Sequence, residues 1–326
     1  MELLAYLTIF IAALMFSTCP IKIKNPKAFF LIWIILSGLL SFSIRTSGFD
    51  VDTAQYARSL AYQNYDFYYL KEPVIWLGMR IVYSFLGDEI LTFVFFDLIS
   101  FVVIFFAFKR LGTPQYVYLS FLIFFPIILG LQNIYRQYYA MIFLMYSLSM
   151  IKDNQIRAYL FFILGVLSHN SAAIFLPLLT MQTKSRYISL ITGPLLVIIL
   201  ILLPYSAGMK SQDATGLSLG PAYVSLIFIL FTYFIAANDF LIDSKNRTEV
   251  AFFFVTLLIS LTATVSISSA GAERISMFVL VFCYPLIALS IERKFTQKLA
   301  LRILFISASF LPIFLVDGVR QFVIPA

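Results

Sequence analysis

Residues 157–183 read RAYLFFILGVLSHNSAAIFLPLLTMQT, an apolar stretch interrupted once, at Ser168-His169-Asn170. Each half on either side of that break has about 12 residues, or ~18 Å of helix, against a hydrocarbon core of ~30 Å. The stretch therefore admits two readings. A single helix over 157–177 crosses a membrane once, or two half-helices meet at His169 and return to the side they came from. The choice decides where every later loop lies.

The rest of the chain makes a membrane the natural frame. Of 326 residues, 61% are hydrophobic, 12% are charged and 17% are aromatic, with 36 Phe and 19 Tyr. A soluble domain carries about 25% charged residues and cannot hide so much apolar surface, whereas lipid can. Apolar runs of spanning length fall near 3–19, 28–44, 89–108, 115–131, 135–151, 187–204, 222–238, 248–268, 274–291 and 299–316. These predict an all-α polytopic membrane protein with about ten full crossings, a single transmembrane domain over 1–326, and outer loops near 45–71 and 205–220. The first run, Leu3 to Thr18, has no basic residue before it and no small-residue cleavage site after it, so it reads as a retained helix. Cys19 and Cys283 each lie at or within an apolar run, which excludes a disulfide framework and a Cys-based metal site.

The net charge of +7 does not point to nucleic acid. Lys and Arg fall in short clusters between apolar runs: Lys22, Lys24 and Lys27; Lys109 and Arg110; Lys152 and Arg157; Lys184 and Arg186; Lys245 and Arg247; and Arg293, Lys294 and Lys298. The positive-inside rule places all of them on the cytoplasmic side. One topology satisfies them if 157–183 is a hairpin that begins and ends inside, and if the short segment Glu72 to Gly87 begins and ends outside as an interfacial or re-entrant helix. The single-helix reading of 157–177 puts Lys245, Arg247, Arg293, Lys294 and Lys298 outside. With the hairpin, Arg45, Asp50, Asp52, Glu72, Arg136, Asp213, Glu273, Arg274, Asp317 and Arg320 collect on the outer face, and His169 points toward it. Any active site is expected there.

Four stretches could carry chemistry. Arg45-Thr-Ser-Gly48-Phe-Asp50-Val-Asp52-Thr-Ala-Gln-Tyr56, followed by Glu72-Pro73, offers carboxylates for sugar hydroxyls, a cation or base catalysis. The plainer reading is that Asp52 caps a short helix starting near Thr53. The aromatics Tyr62, Tyr65, Phe67, Tyr68 and Tyr69 fit an interfacial belt or a sugar-stacking surface. Gln132-Asn133-Ile-Tyr135-Arg136-Gln137 opens a helix with an Arg whose fork suits phosphate, or which simply snorkels to the interface. His169, the only histidine, lies among Ser168, Asn170 and Ser171 at a break of the kind that bears ligand groups in membrane proteins, or is a satisfied core polar residue. Ala270-Gly271-Ala272-Glu273-Arg274 places a second Arg at a helix mouth, beside an acid that could simply pair with it. Asp97, inside Phe95-Phe96-Asp97-Leu98, requires a buried partner, with Arg136 or Arg80 as the options. No Walker loop, dinucleotide fingerprint, HExxH or GxSxG occurs, so the constellation favours a lipid-linked phosphate over a soluble nucleotide.

In order and spacing, these landmarks resemble the EpsG-type, Wzy-like family of bacterial polysaccharide polymerases. They are Arg45, Gly48, Asp52 and Tyr56; Glu72-Pro73; Arg136-Gln137; Ser168-His169-Asn170-Ser171 with Pro177; and Glu273-Arg274. One departure is visible: Asp50 has the family's spacing from Gly48, while Asp52 has its spacing to Tyr56. The resemblance implies a GT-C-like membrane glycosyltransferase of the bacterial cytoplasmic membrane, working on its outer face to make O-antigen, capsule or exopolysaccharide. It would transfer a growing glycan from polyprenyl pyrophosphate to the non-reducing end of a lipid-linked repeat unit, without cofactor or metal. The implied partners are those lipid-linked oligosaccharides, membrane lipid, a chain-length regulator and a flippase, with no nucleic acid. The implied roles are Arg136, Arg274 and Arg45 on pyrophosphate, Asp52, Glu72 or His169 in proton transfer, and Asp50, Tyr56, Gln137, Asn170 and Glu273 on the sugars. A transporter or flippase of lipid-linked sugars, or an outer-face ligase or acyltransferase, would use similar residues.

Overall fold

The computed structural model describes residues 2–18, 23–61, 70–183, 186–207, 225–229, 232, 244–266, 269–294, 297–315 and 324. The aromatics Tyr62, Tyr65, Phe67, Tyr68 and Tyr69, most of the loop at 205–220, and Asp213, Asp317 and Arg320 lie outside them, as does most of the apolar run at 222–238. The described residues are mostly helical, with no strand among them.

Local sequence sets the helix ends. Asn25 accepts from the Lys27 amide at 2.9 Å, and Pro26 opens the helix Pro26–Ser47, which stops at Gly48. Asp88 accepts from the Leu91 amide at 2.8 Å to start Glu89–Leu111, and Gly112 closes it at φ 70. Asn154 accepts from the Arg157 amide at 3.0 Å to start Gln155–Ser168.

Among the described residues, three helices are long and apolar enough to cross a membrane alone: Pro26–Ser47, Glu89–Leu111 and Gly271–Arg293. A bent pair, Gln115–Leu122 and Phe125–Gln132, makes a fourth if it counts as one span. The helices Glu2–Thr18, Pro73–Leu86, Gln155–Ser168, Leu190–Leu203 and Ala251–Val265 are apolar but shorter. Of the roughly ten runs expected to cross, three or four are uninterrupted spans of full length among the described residues. The run at 115–131 breaks because Pro126 lacks an amide hydrogen and clashes with a preceding carbonyl, and its two halves bend by 48°.

The segment that opened the reading is broken at the expected place. Gln155–Ser168 stops at His169, whose backbone is extended; a 3-10 helix follows over Asn170–Phe175 and a short helix over Leu176–Gln182. Gln182 lines the same cavity as Lys152 and Asp153, the residues just before the first leg. His169 lies within 4.0 Å of Glu72, which pairs with Arg136 at the start of Tyr135–Met150. The segment therefore begins and ends at one end of the bundle and turns toward the other.

Helix Tyr135–Met150 forms the centre of the packing and is buried along most of its length. Gln155–Ser168 folds back against it, and Glu89–Leu111 packs on another side. Close approach here needs glycine: a Cβ at Gly130 would lie 2.7 Å from the Tyr138 ring. The peripheral helices turn Ile11, Phe85, Ile156 and Ile198 outward, an arrangement that lipid tolerates and water does not.

Candidate functional site

Consecutive residues on one helix serve separate clusters, because neighbours on an α-helix point about 100° apart. Tyr135 belongs to the deeper cluster. Its hydroxyl donates to Asp97 Oδ1 at 2.7 Å. Arg45 donates from Nε to Oδ2 and from Nη2 to Oδ1, both at 2.9 Å, and Ser41 Oγ donates to Oδ2 at 2.6 Å. The Arg45 guanidinium lies 4.8 Å from the Phe93 ring centre and 5.1 Å from that of Tyr135. Arg45 and Asp97 are 1% and 0% exposed, so this fork is spent on Asp97 and closed to any phosphate. Two expectations change: Arg45 leaves the pyrophosphate set, and the partner of Asp97 is Arg45 rather than Arg136 or Arg80. A charge this deep is tolerable only when its hydrogen-bonding capacity is met, and four donors meet that of Asp97.

Arg136, one residue on, opens into the second cluster. It forms an ion pair with Glu72 through Nη1 and donates from Nε to the Tyr56 hydroxyl at 2.7 Å. Its guanidinium lies 5.6 Å from the Tyr56 ring centre and 5.3 Å from that of Trp76. The two rings pack on each other at 4.7 Å, fixing the plane against which the fork rests. Arg136 keeps 25% of its side-chain surface exposed, whereas Glu72 keeps 8%. Burial pushes the Tyr56 phenol up to about 12, outweighing the opposing pull of Arg136. Tyr56 is thus a neutral acceptor, not a base.

Glu72 links Arg136 to the hairpin tip. Its Oε1 accepts from the Asn170 amide at 3.3 Å and lies 4.0 Å from His169 Nε2. The other imidazole nitrogen, Nδ1, lies 2.7 Å from Ser171 Oγ, so the ring is held from behind with Nε2 turned to Glu72. Asn170 contributes its backbone amide; the sugar contact expected of it would have to come from its side chain.

Gln137 extends the set. Its Nε2 donates to the main-chain carbonyl of Arg274 at 2.6 Å, which holds the mouth of Ser269–Lys294 against the start of Tyr135–Met150. The Arg274 side chain is exposed and that of Glu273 is half-buried. Asp50 and Asp52 lie at the start of Val51–Leu60, both half-buried. The capping expectation is not met in its simple form: the helix begins at Val51, and Asp50, at the cap position, makes no side-chain capping bond. Thr53 ties that helix to the site by donating to the Gln132 carbonyl at 3.1 Å.

Arg136, Glu72, Tyr56, His169 and Asn170 are therefore brought into one cluster, with Gln137 and Arg274 attached through the backbone. Three contributors escaped the reading of the sequence, Trp76 in this cluster and Ser41 and Phe93 in the deeper one, while Tyr135 had no role assigned in it. Trp76 stands one helical turn after Glu72, on the same face, and that spacing was the available signal. No three metal-ligating side chains gather among the described residues.

No curated protein and no solved structure matches the chain. The EpsG family pattern matches residues 27–325, across every cluster described above. The chain belongs to the EpsG family, the polysaccharide-polymerase type that the order of its motifs resembles.

Proposed function

We propose that the protein is a polytopic, GT-C-like glycosyltransferase that polymerises lipid-linked oligosaccharide repeat units on the outer face of a bacterial cytoplasmic membrane. The reading rests on one observation: a partly exposed arginine, Arg136, fixed by an acid and two aromatic rings beside the only histidine, at the tip of a helical hairpin. A preformed cation in a water-poor site stabilises a leaving diphosphate without reorganising during the reaction. Arg274, with its exposed side chain, supplies the second cation.

In the reaction, the acceptor hydroxyl oxygen of the next repeat unit bonds to the anomeric carbon of the growing glycan. The bond from that carbon to the polyprenyl pyrophosphate oxygen breaks, and the leaving diphosphate carries the electron pair to Arg136 and Arg274. The acceptor proton passes to the His169 imidazole. Glu72, held by Arg136 and the Asn170 amide, orients the imidazole and balances its charge after transfer. That assignment moves Glu72 from base to positioning residue and leaves Asp50, Asp52 and Glu273 to the sugar hydroxyls, while Gln137, buried and bonded to the Arg274 carbonyl, positions that arginine instead of touching sugar.

Purified protein given lipid-linked repeat units should yield a ladder of longer glycans on the lipid. Arg136→Ala, His169→Ala and Arg274→Ala should each abolish the ladder at unchanged protein level. Movement of the substrate across a vesicle membrane without elongation would identify a transporter instead, and normal chain length in all three variants would refute the site.

A further inference from the structure

We infer that the end of the bundle opposite Arg136 and His169 holds an anionic glycerophospholipid, seated between helices Tyr135–Met150, Ser244–Ser266 and Ser269–Lys294. A cavity of about 260 Å³ opens there. Among the described residues that line it, the rim carries Arg110, Lys152 and Arg293, contributed by three separate elements, with Asp153 as the single acid. Asp153 accepts from Arg110 Nη2 at 2.7 Å, an exposed pair that salt and water screen. Three cations against one acid leave the rim positive. The walls beneath are Leu148, Phe252, Phe282 and Leu289.

A positive rim over an apolar shaft selects an amphiphile whose head is negative and whose body is hydrocarbon. A soluble nucleotide or free phosphate would leave those walls uncovered, and a zwitterionic lipid would bring a second cation to a cationic rim. The volume suits a phosphodiester head with the first part of its chains, the remainder extending into surrounding lipid. Pro285, inside Ser269–Lys294, lies in the cavity wall. It removes one amide from the helical ladder there and keeps that wall from closing into a regular helix–helix contact. Basic pockets between membrane helices hold anionic headgroups by this same chemistry.

The test uses the full chain in neutral detergent and follows its Tm without any activity measurement, so it succeeds or fails apart from the polymerase assignment. Phosphatidylglycerol should raise Tm in a concentration-dependent way, because a ligand bound to the folded form stabilises it by mass action. Phosphatidylcholine and sn-glycerol 3-phosphate should not. Each rim cation contributes roughly a fivefold factor, so Lys152→Gln with Arg293→Gln should bind phosphatidylglycerol roughly 30-fold more weakly. Leu289→Trp, which keeps every charge and fills the shaft, should also lose the shift, and it serves where the double variant fails to fold. An equal shift with phosphatidylcholine, a shift with glycerol phosphate alone, or a full response in Leu289→Trp would overturn the inference. So would a response to polyprenyl phosphate that phosphatidylglycerol does not reproduce.

Discussion

Replacing Asp97 tests the deeper cluster, and its geometry supplies the expected size. The carboxylate accepts from Arg45 twice at 2.9 Å, from Ser41 at 2.6 Å and from Tyr135 at 2.7 Å, two donors on each oxygen. Asp97→Leu removes the acceptor of all four donors and leaves Arg45 buried without its counter-charge. Such a break costs roughly 3–5 kcal/mol. Arg45→Met strands the carboxylate instead, at a similar ~3–5 kcal/mol. Independent sites would make the double variant ~6–10 kcal/mol less stable. The double variant Arg45→Met with Asp97→Leu removes both charges and leaves only the Ser41 and Tyr135 hydroxyls short of an acceptor, at roughly 1–3 kcal/mol each. Ser41 can turn back to a carbonyl of its own helix, which keeps the total near ~2–4 kcal/mol and the coupling near ~4–6 kcal/mol by a double-mutant cycle. Reversible unfolding in mixed micelles, titrated with a denaturing detergent, measures all three. Single variants within about 1 kcal/mol of the parent, or a double variant as costly as the sum, would show that the pair is not the buried, fully bonded unit described.

His169→Gln, which can still bond Ser171 but cannot take a proton, should lower glycan elongation by roughly 10²-fold or more while leaving Tm unchanged; elongation rates on a defined lipid-linked unit decide it. Gln137→Leu should release the Arg274 carbonyl from the start of Tyr135–Met150 and weaken elongation more than it weakens folding, checked by comparing rates with Tm. Gly130→Ala places a methyl 2.7 Å from the Tyr138 ring and should cost roughly 1–3 kcal/mol as an overpacked contact, measured in the same micelle titration. Tyr56→Phe removes the acceptor for Arg136 Nε and, as a hydrogen bond to a charged group, should cost roughly 1.5–3 kcal/mol while weakening substrate binding more than turnover.

Hydropathy made the membrane class legible, and the polar triplet Ser168-His169-Asn170 made the hairpin break legible. Both are local properties that a chain displays along its own length. The number of crossings was harder to read, because apolar composition does not reveal where Pro126 divides a run or that Gln155–Ser168 stops after 14 residues. The roles of the arginines were not legible at all. Arg45 and Arg136 both stand near a helix end. Which one is consumed by a partner depends on Asp97 lying 52 residues from Arg45 and Glu72 lying 64 residues from Arg136. Pairings at that separation are set by tertiary packing, to which neither periodicity nor propensity refers. Family resemblance placed the right landmarks side by side, yet it could not tell a scaffold arginine from an exposed one.

The break at His169 also bears on the order of assembly during synthesis. Residues 170–175 are 3-10 rather than α-helical, and irregular backbone at membrane depth is tolerated only where protein shields it. Part of that shield is Phe175 packed at 4.9 Å on Phe278 and 5.3 Å on Phe282. Those partners leave the ribosome about 100 residues later, a delay of roughly 5–20 s at ordinary elongation rates. Until they arrive, the hairpin lacks part of its cover. The tip that carries the only histidine is thus completed late, and nascent chains released before Ser269 should be the ones that membrane quality control removes.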